Sequence, residues 1–411
     1  MSTTEINEQP AGAPGPVDLP ENPAPATESS WLGVRWSAWR RWLTRLGPAL
    51  LYLGIRELGL LVLAWTGGRE GTSVTDALTS WDGQWYLGIA GGGYGGVSGR
   101  LLDAFGRRTQ DTPLAFFPGY PYAVRWVADL PGVGLVAAAF TVSLACGVAC
   151  AYALARLGRL VGGSAQVGLV LVALFAASPM GIVLSMAYSE AMFCALAAWA
   201  LVGVLERRWW LAGAATLFAG LVRPTAMALV VTVCAAAIVA LVRHRDGWRP
   251  WLGLATAPLG LLGYLIFVAV RTGDPTGWFD LQQQGWDSKF DGGVATVRFG
   301  LDVLASGRSV LEVGTVGFLL VAIALVVIGV RQRLAWPLVL YGALVLAMDL
   351  GSNGLMNSKA RMLLPAFTLL LPVAGALVKR RPGTMVITLA SIAVASAWFG
   401  AYALTGWTYA I

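Results

Sequence analysis

Charged residues and histidine are scarce in this sequence. Only 12% of the 411 residues are charged, against about 25% in soluble proteins, while 57% are hydrophobic. A chain with so little charge cannot cover a surface that faces water. This excludes a soluble enzyme, a nucleic-acid-binding domain and a secreted disulfide scaffold. The composition instead predicts an all-α polytopic membrane protein.

Residues for metal or nucleotide chemistry are also missing. The single histidine, His244, lies in a basic loop, so neither a histidine-based zinc site nor a Ser-His-Asp triad is expected. The four cysteines, Cys146, Cys150, Cys194 and Cys234, all lie inside apolar runs, which is typical of small core residues. There is no GxxxxGKS/T loop for ATP and no Asp-x-Asp pair for a metal-bound nucleotide sugar. We therefore expect no metal and no cofactor.

Long apolar runs fill most of the chain. Residues 1–30 are rich in Pro, Ala, Glu and Ser and predict a disordered cytoplasmic tail, followed by one integral membrane domain over 31–411. Tryptophan and arginine alternate over 31–45, which predicts an interfacial helix. About eleven transmembrane or re-entrant helices are predicted at 47–66, 133–155, 164–183, 187–205, 209–222 with 224–242 as a broken pair, 251–271, 310–330, 334–349, 362–378 and 384–405. Pro224 splits the broken pair, which predicts a hairpin with its tip inside the membrane.

The basic residues set the predicted orientation. Arginine and lysine cluster in the short loops that face the cytoplasm if the N-terminus is inside, which predicts a multi-pass plasma membrane protein with its C-terminus outside. Two long external loops, 67–132 and 272–309, then hold most of the acids. Residues 114–130 must lie along the outer interface instead of spanning. Such loops favour an active site at the outer face over a transporter.

Asp82 is the main candidate for chemistry in the first external loop. Residues 80–90 predict a juxtamembrane helix on which Trp81, Trp85 and Ile89 share one face. Asp82 lies near its start. One interpretation is that Asp82 forms a capping box with Thr79. The other is that its carboxylate is a general base at the membrane surface.

Further charged residues lie at the ends of predicted spans. Glu190 follows Tyr188 at the outer end of one span, Arg223 lies at the hairpin tip, and Lys359 and Arg361 lie at the mouth of another span. Charged groups at such positions are often functional. The basic side chains either snorkel to lipid headgroups or bind a phosphate, for which the arginine fork is well suited.

Arg56 and Glu57 lie in the middle of the first predicted span, where charge is costly. A buried structural pairing would explain them. In an alternative function, a secondary transporter or lipid flippase, they would form an intramembrane relay with Glu190.

Several segments together resemble a known family of membrane enzymes. The segments are Trp81-Asp82 with Tyr86-Leu87, Ile89-Ala90 and Gly93-Tyr94, then Ala115-Phe116-Phe117-Pro118 with Tyr120-Pro121, then Ser185, Tyr188-Ser189-Glu190 and Phe193, then Arg223-Pro224-Thr225, and finally Arg361 with Leu364-Pro365. They are similar to motifs of the PIG-V-like family (glycosylphosphatidylinositol mannosyltransferase II) in the GT-C class of glycosyltransferases, over most of 46–378. Ala226 and Met362 depart from the family pattern. These departures bear on the predicted contacts with the acceptor and the lipid more than on the type of reaction.

The resemblance implies a GT-C-like fold and an inverting, metal-independent transfer of mannose. The donor would be polyprenyl-phosphate mannose, the acceptor a lipid or a glycan, and the site would face away from the cytoplasm among membrane lipids. It maps the catalytic base onto Asp82. The candidates for substrate binding are Trp81, Trp85, Tyr86, Tyr120, Tyr188, Glu190, Arg223, Lys359 and Arg361. Arg361, Arg223 and Lys359 would stabilise the phosphate leaving group.

The sequence says less about the source organism and about which sugar is transferred. Lysine occurs only three times, at Lys289, Lys359 and Lys379, among 29 basic residues, which suits a GC-rich bacterial genome. A glycosylphosphatidylinositol acceptor is not expected in a bacterium. A GT-C enzyme that uses another sugar, such as arabinofuranose or glucose, stays open as an alternative.

Overall fold

A computed structural model describes residues 1–3, 28–307 and 309–407, with the backbone alone over 28–44. The chain divides into two compact units, Met1–Arg45 and Leu46–Ile411. In the first unit, residues 28–45 are helical. The disordered tail predicted over 1–30 falls almost entirely outside the described residues. All of the site described below lies in the second unit.

The described part of the chain is helical, with a single isolated β-bridge. The first nine helices are α1 (Glu28–Glu70), α2 (Val74–Thr79), α3 (Asp82–Gly92), α4 (Gly119–Ala128), α5 (Leu135–Gly162), α6 (Ala165–Ala176), α7 (Glu190–Leu205), α8 (Trp209–Gly220) and α9 (Ala226–Val242). The next nine are α10 (Arg249–Thr256), α11 (Leu259–Thr272), α12 (Gly277–Trp286), α13 (Val294–Ser306), α14 (Val310–Arg331), α15 (Trp336–Gly351), α16 (Lys359–Met362), α17 (Leu371–Val378) and α18 (Pro382–Thr405). Short 3₁₀ turns cover Tyr94–Gly96, Thr112–Ala115, Gly181–Ser185, Met356–Ser358 and Leu364–Leu370.

Five helical stretches among these are long and apolar enough to cross a bilayer. They are Arg45–Glu70, Leu135–Gly162, Arg249–Thr272, Val310–Arg331 and Pro382–Thr405. A sixth would be Met356–Met362 with Leu364–Val378, which meet at an angle of 53°. Shorter apolar helices are α6, α7, α9 and α15. The polytopic all-α architecture is as predicted, whereas the number of eleven segments stays a prediction.

Two predicted spans are interrupted by proline. The span predicted over 164–183 ends as a helix at Ala176, because Ser178 precedes Pro179 and the residue before a proline disfavours helical backbone. The span predicted over 362–378 is a 3₁₀ segment, Leu364–Leu370, followed by the short helix α17. Prolines near the start of both pieces explain the break. Apolar length alone therefore overestimated these two helices.

The predicted break at Pro224 is present between α8 and α9. The predicted first external loop, 67–132, packs against it, since the Gly119 N–H donates to the carbonyl of Leu221 at 2.7 Å. A Cβ at Gly119 would lie 2.8 Å from the Val222 Cγ2 atom, so only glycine allows this approach. α4 itself has ten residues. At about 15 Å it is too short to cross a bilayer, which agrees with an interfacial position for 114–130.

α7 lies at the centre of the second unit. Twelve of its sixteen residues are buried, and it is rich in alanine, so α5, α8 and α9 can approach it closely. The segment just before α7 docks on the first external loop, where the Ala187 N–H donates to the Leu78 carbonyl at 2.9 Å. Because α7 begins at Glu190, this packing buries that carboxylate completely.

The second external loop is tied to the end of α15. Phe290 and Ser352 form an antiparallel bridge. The Asp291 N–H donates to the Gly351 carbonyl at 2.8 Å, and the Asn353 N–H donates to the Lys289 carbonyl at 3.0 Å. This short ladder fixes the loop that carries Lys289 beside the segment that carries Lys359.

Candidate active site

Two acids and two arginines form an alternating chain of ion pairs. Arg361 Nη1 lies 2.8 Å from Asp82 Oδ2, and its Nε lies 3.5 Å from Glu190 Oε1. Arg223 Nη1 lies 2.7 Å from the same Glu190 oxygen. The two positive and two negative charges balance, which makes their burial tolerable. Asp82 is the most open member, with 24% of its side chain exposed.

Tyr188 holds the Asp82 end of this network in place. Its hydroxyl donates to the Ser80 carbonyl and accepts from the Asp82 N–H, each at 3.2 Å. The two bonds bracket Trp81, whose φ of 50° is rare for a bulky side chain. The Tyr188 ring also lies 5.2 Å from the Arg361 guanidinium. Strain of this kind persists only where the surroundings enforce it, and it clusters at functional sites.

The capping interpretation of Asp82 is wrong. α3 begins at Asp82 itself, and its N-cap position, Trp81, makes no side-chain capping bond. The hydroxyl of Thr79 donates to the Thr75 carbonyl in its own helix. The Asp82 carboxylate is therefore free of a capping role and is instead paired with Arg361.

Ser189 links the arginine end of the network to the first external loop. Arg223 Nη1 donates to the Ser189 Oγ at 3.1 Å, and the Tyr86 hydroxyl lies 2.9 Å from the same atom. Arg223 Nη2 lies 3.2 Å from the Met362 sulfur. Burial raises the pKa of Tyr86 above its usual value, so the phenol stays protonated and can donate.

A small cavity of about 120 Å³ opens at Asp82. Its wall includes Tyr86, Phe116, Arg223 and Trp286, so one carboxylate and one guanidinium face a mainly aromatic space. This cavity gives the Asp82 carboxylate access to a bound molecule.

A larger cavity of about 510 Å³ adjoins the small one. The two share the lining residues Arg223, Pro224, Gln282, Trp286 and Met362. The larger one is mostly apolar, with walls from α9, α11, α12 and α15. Its basic residues are Arg223, Lys289 and Lys359. Its lining also contains one acid, Asp349. A mostly apolar chamber that carries three basic side chains fits an amphiphile whose head is an anion.

Lys359 is buried, and the snorkelling interpretation is therefore wrong. Its Nζ donates to the carbonyl of Asp349 at 2.5 Å and to that of Ser352 at 2.8 Å. The first of these carbonyls belongs to the last turn of α15, so the ammonium satisfies free helix-end acceptors. One N–H of the three remains for the larger cavity.

The loop bearing Lys289 has its own anchor outside the membrane segments. The N–H groups of Gly293 and Ala295 each donate to the Asp291 carboxylate at 2.8 Å. The bond from Ala295 is the main cause that lowers the pKa of Asp291 below its usual value. The loop stays pinned while this carboxylate is ionised.

Six of the nine predicted binding residues line neither cavity. Trp85 stacks on Phe116 with ring centroids 5.3 Å apart, and Trp81 is only partly buried against the core. The Tyr120 hydroxyl donates to the Ala139 carbonyl at 3.1 Å, behind Tyr86. Trp85 and Tyr120 therefore pack behind Phe116 and Tyr86, which line the small cavity. Asp82, Tyr86 and Arg223 line the small cavity, and Arg223 and Lys359 line the large one. Tyr188, Glu190 and Arg361 lie behind the residues that line the cavities and hold them in position.

Arg56 and Glu57 are not partners of each other. Arg56 is buried and donates to the carbonyls of Ala176 and Gly181, where it closes the interrupted end of α6. Glu57 lies on the exposed face of α1. Glu190, the third member of the supposed relay, is paired with Arg223. This arrangement argues against a continuous proton or ion relay through the three residues.

The sequence analysis gave no individual role to five residues of the site, namely Gln282, Trp286, Asp349, Ser189 and Lys289. Gln282 and Trp286 line both cavities, but the helix that carries them has no motif to mark it. Asp349 lines the large cavity, and its position as an acid within an apolar helix was a signal that could have found it. Ser189 was noticed only as part of a motif. No group of three or more His, Cys, Asp or Glu within the described ranges could hold a metal ion.

No protein-family model matches the sequence, and no curated protein matches it either. Among solved structures, the chain is similar to the crystal structure of ArnT from Cupriavidus metallidurans bound to undecaprenyl phosphate. The likeness has a TM-score of 0.53 at 17% sequence identity and covers 84% of this chain. The chain spans 63% of the length of that structure. At this identity the comparison concerns the fold alone, and it shows that the chain has an all-α, polytopic, GT-C-like fold.

Proposed function

We propose that the chain is a membrane glycosyltransferase that takes its sugar from a polyprenyl-phosphate donor. The observation that carries the proposal is the placement of Asp82, at a small cavity that adjoins a larger, mostly apolar cavity with three basic side chains in its lining. The GT-C-like fold and the undecaprenyl phosphate bound to ArnT support a donor of this class. The finer proposal is a bacterial, PIG-V-like mannosyltransferase whose site faces away from the cytoplasm and whose acceptor is a lipid or a glycan.

The two cavities divide the donor between them. The first isoprene units would occupy the apolar cavity, next to Leu261 and Leu265 of α11. The phosphate would lie where the cavities meet, within reach of Arg223, with Lys289 and Lys359 adding positive charge. The sugar would then enter the small cavity beside Asp82. These cations provide the charge stabilisation that the leaving group needs, so the proposal requires no metal.

The reaction is a single displacement. The acceptor hydroxyl oxygen attacks the anomeric carbon, and the bond from that carbon to the phosphate oxygen breaks. Polyprenyl phosphate leaves with the bonding electron pair, and the acceptor proton passes to the Asp82 carboxylate late in the step. A base of this kind contributes about 10²–10⁴-fold. One displacement inverts the configuration, so a β-linked donor gives an α-linked product.

Arg361 has a different role from the one that its sequence position suggests. It lines neither cavity in the described structure and contacts Asp82 and Glu190 instead. We assign it as a positioning residue that aims the base. Arg223, which lines both cavities, is the arginine placed to meet the phosphate.

Radiolabel transfer tests the proposal. Membranes that contain the full chain, and matched membranes without it, would receive polyprenyl-phosphate mannose labelled in the sugar. We expect label in a lipid or glycan product only with the chain, and none from GDP-mannose once synthesis of the lipid donor is blocked. Polyprenyl-phosphate glucose and arabinofuranose are run in parallel. Transfer from one of these alone would retain the reaction and replace the sugar, and transfer from none would reject the function.

A further inference from the structure

One face of the helical stretch Arg45–Glu70 is exposed in the part of the chain that the structure describes. Within Arg45–Glu70, Tyr52, Arg56 and Leu63 point into the protein and are buried. Residues exposed at intervals of three and four form a seam on the opposite side, namely Leu50, Gly54, Glu57, Leu61, Ala64 and Gly68. This spacing averages about 3.6 residues, the period of a straight α-helix, so the six residues line one face on which a second helix can pack.

Glu57 is the unusual member of this seam. It lies near the middle of the stretch Arg45–Glu70, roughly 18–20 Å from either end, which is too far for its side chain to reach water. No described residue forms an ion pair or hydrogen bond with its carboxyl group. A polar group at this depth needs a partner, because lipid supplies none.

Gly54 lies one turn from Glu57 on the same face. A Cβ added there would meet no atom within 4 Å, and the same is true of Gly68. Glycine weakens a helix, and no contact inside the chain requires these two glycines. Small residues on a membrane helix allow another helix to approach its backbone.

We propose that this seam binds the same seam of a second copy of the chain. A two-fold axis along the membrane normal would place both Glu57 side chains at the same depth. A neutral carboxyl group is both donor and acceptor, so two facing copies satisfy each other. A different protein would have to bring its own cation or donor into the lipid. Gly54 lets the helices come close enough for the carboxyl groups to meet.

Association of the purified full chain in lipid bilayers tests this. Two pools, labelled with donor and acceptor fluorophores, are mixed in liposomes over a range of protein-to-lipid ratios. We expect energy transfer that rises with protein density. The Glu57→Leu and Gly54→Ile variants should weaken association by at least tenfold, and Glu57→Gln, which keeps a donor and an acceptor, should retain most of it.

A matched control is Gly263→Ile in α11, another exposed glycine whose added Cβ would meet nothing. It should associate like the wild type. Circular dichroism and thermal melting confirm that each variant folds. A monomeric wild type, or equal association by folded Glu57→Leu and Gly54→Ile, would overturn the proposal. Capture of a different membrane protein that depends on Glu57, with no self-association, would also overturn it.

Discussion

Substitution of Asp82 by asparagine separates chemistry from structure at this site. Asparagine keeps the size of the side chain and a carbonyl oxygen for Arg361, but it cannot accept the acceptor proton. Sugar transfer should therefore fall by roughly 10²-fold or more. The donor should still bind, because Arg223, Lys289 and Lys359 are unchanged.

The expected cost in stability follows from the network. Breaking a fully buried ion pair costs about 3–5 kcal/mol. Asp82 is 24% exposed, and Arg361 retains Glu190 at 3.5 Å, so the cost should be smaller. We expect roughly 1–2 kcal/mol, between the values for exposed and buried pairs. The double variant Asp82→Asn with Arg361→Met removes the uncompensated guanidinium and should regain part of that stability, but not the activity.

The assay combines single-turnover transfer of labelled sugar with thermal melting in the same detergent. Asp302→Asn, an exposed acid in the second external loop, is the matched control and should change neither quantity. Near-wild-type transfer by folded Asp82→Asn protein would refute Asp82 as the base. Glu190 would then be the next candidate, since it belongs to the same network.

Three further substitutions test other contacts. Arg223→Lys loses the guanidinium fork that contacts both Glu190 and the proposed phosphate. The KM for the donor should therefore rise about tenfold or more. An unchanged KM would remove Arg223 from the donor site. Lys359→Met leaves two helix-end carbonyls unsatisfied and should lower stability by about 2–3 kcal/mol in denaturant titrations; an unchanged midpoint would contradict the anchoring role. Arg56→Met likewise frees the carbonyls at the end of α6 and should lower the melting temperature without a specific loss of kcat, and a selective loss of kcat would instead favour a functional role.

Local patterns in the sequence predicted much of the fold. Apolar length located most of the apolar helices, and Pro224 located the break between α8 and α9. At 164–183 and 362–378 the helix is not continuous, because Pro179 and Pro365 interrupt it. Proline acts on the backbone whatever the polarity of its neighbours.

The four residues of the ion-pair chain were all candidates from the sequence, because charge at a membrane boundary is rare enough to be noticed. Their partners were not predictable. Arg361 seemed suited to a leaving group, yet it pairs with Asp82, 279 positions away in the chain. Gln282 and Trp286 carried no signal at all.

Composition and periodicity determined that this chain enters a membrane as helices, because burial in lipid depends on each segment's own hydropathy and hydrogen bonding. The tertiary structure alone decided which charges meet, that Lys359 closes the end of α15, and that Arg56 turns inward while Glu57 turns outward. Those outcomes depend on how helices distant in sequence pack, and on which face of each helix the packing covers. The pairing of two distant side chains is a property of that packing. The sequence around either residue alone does not contain it.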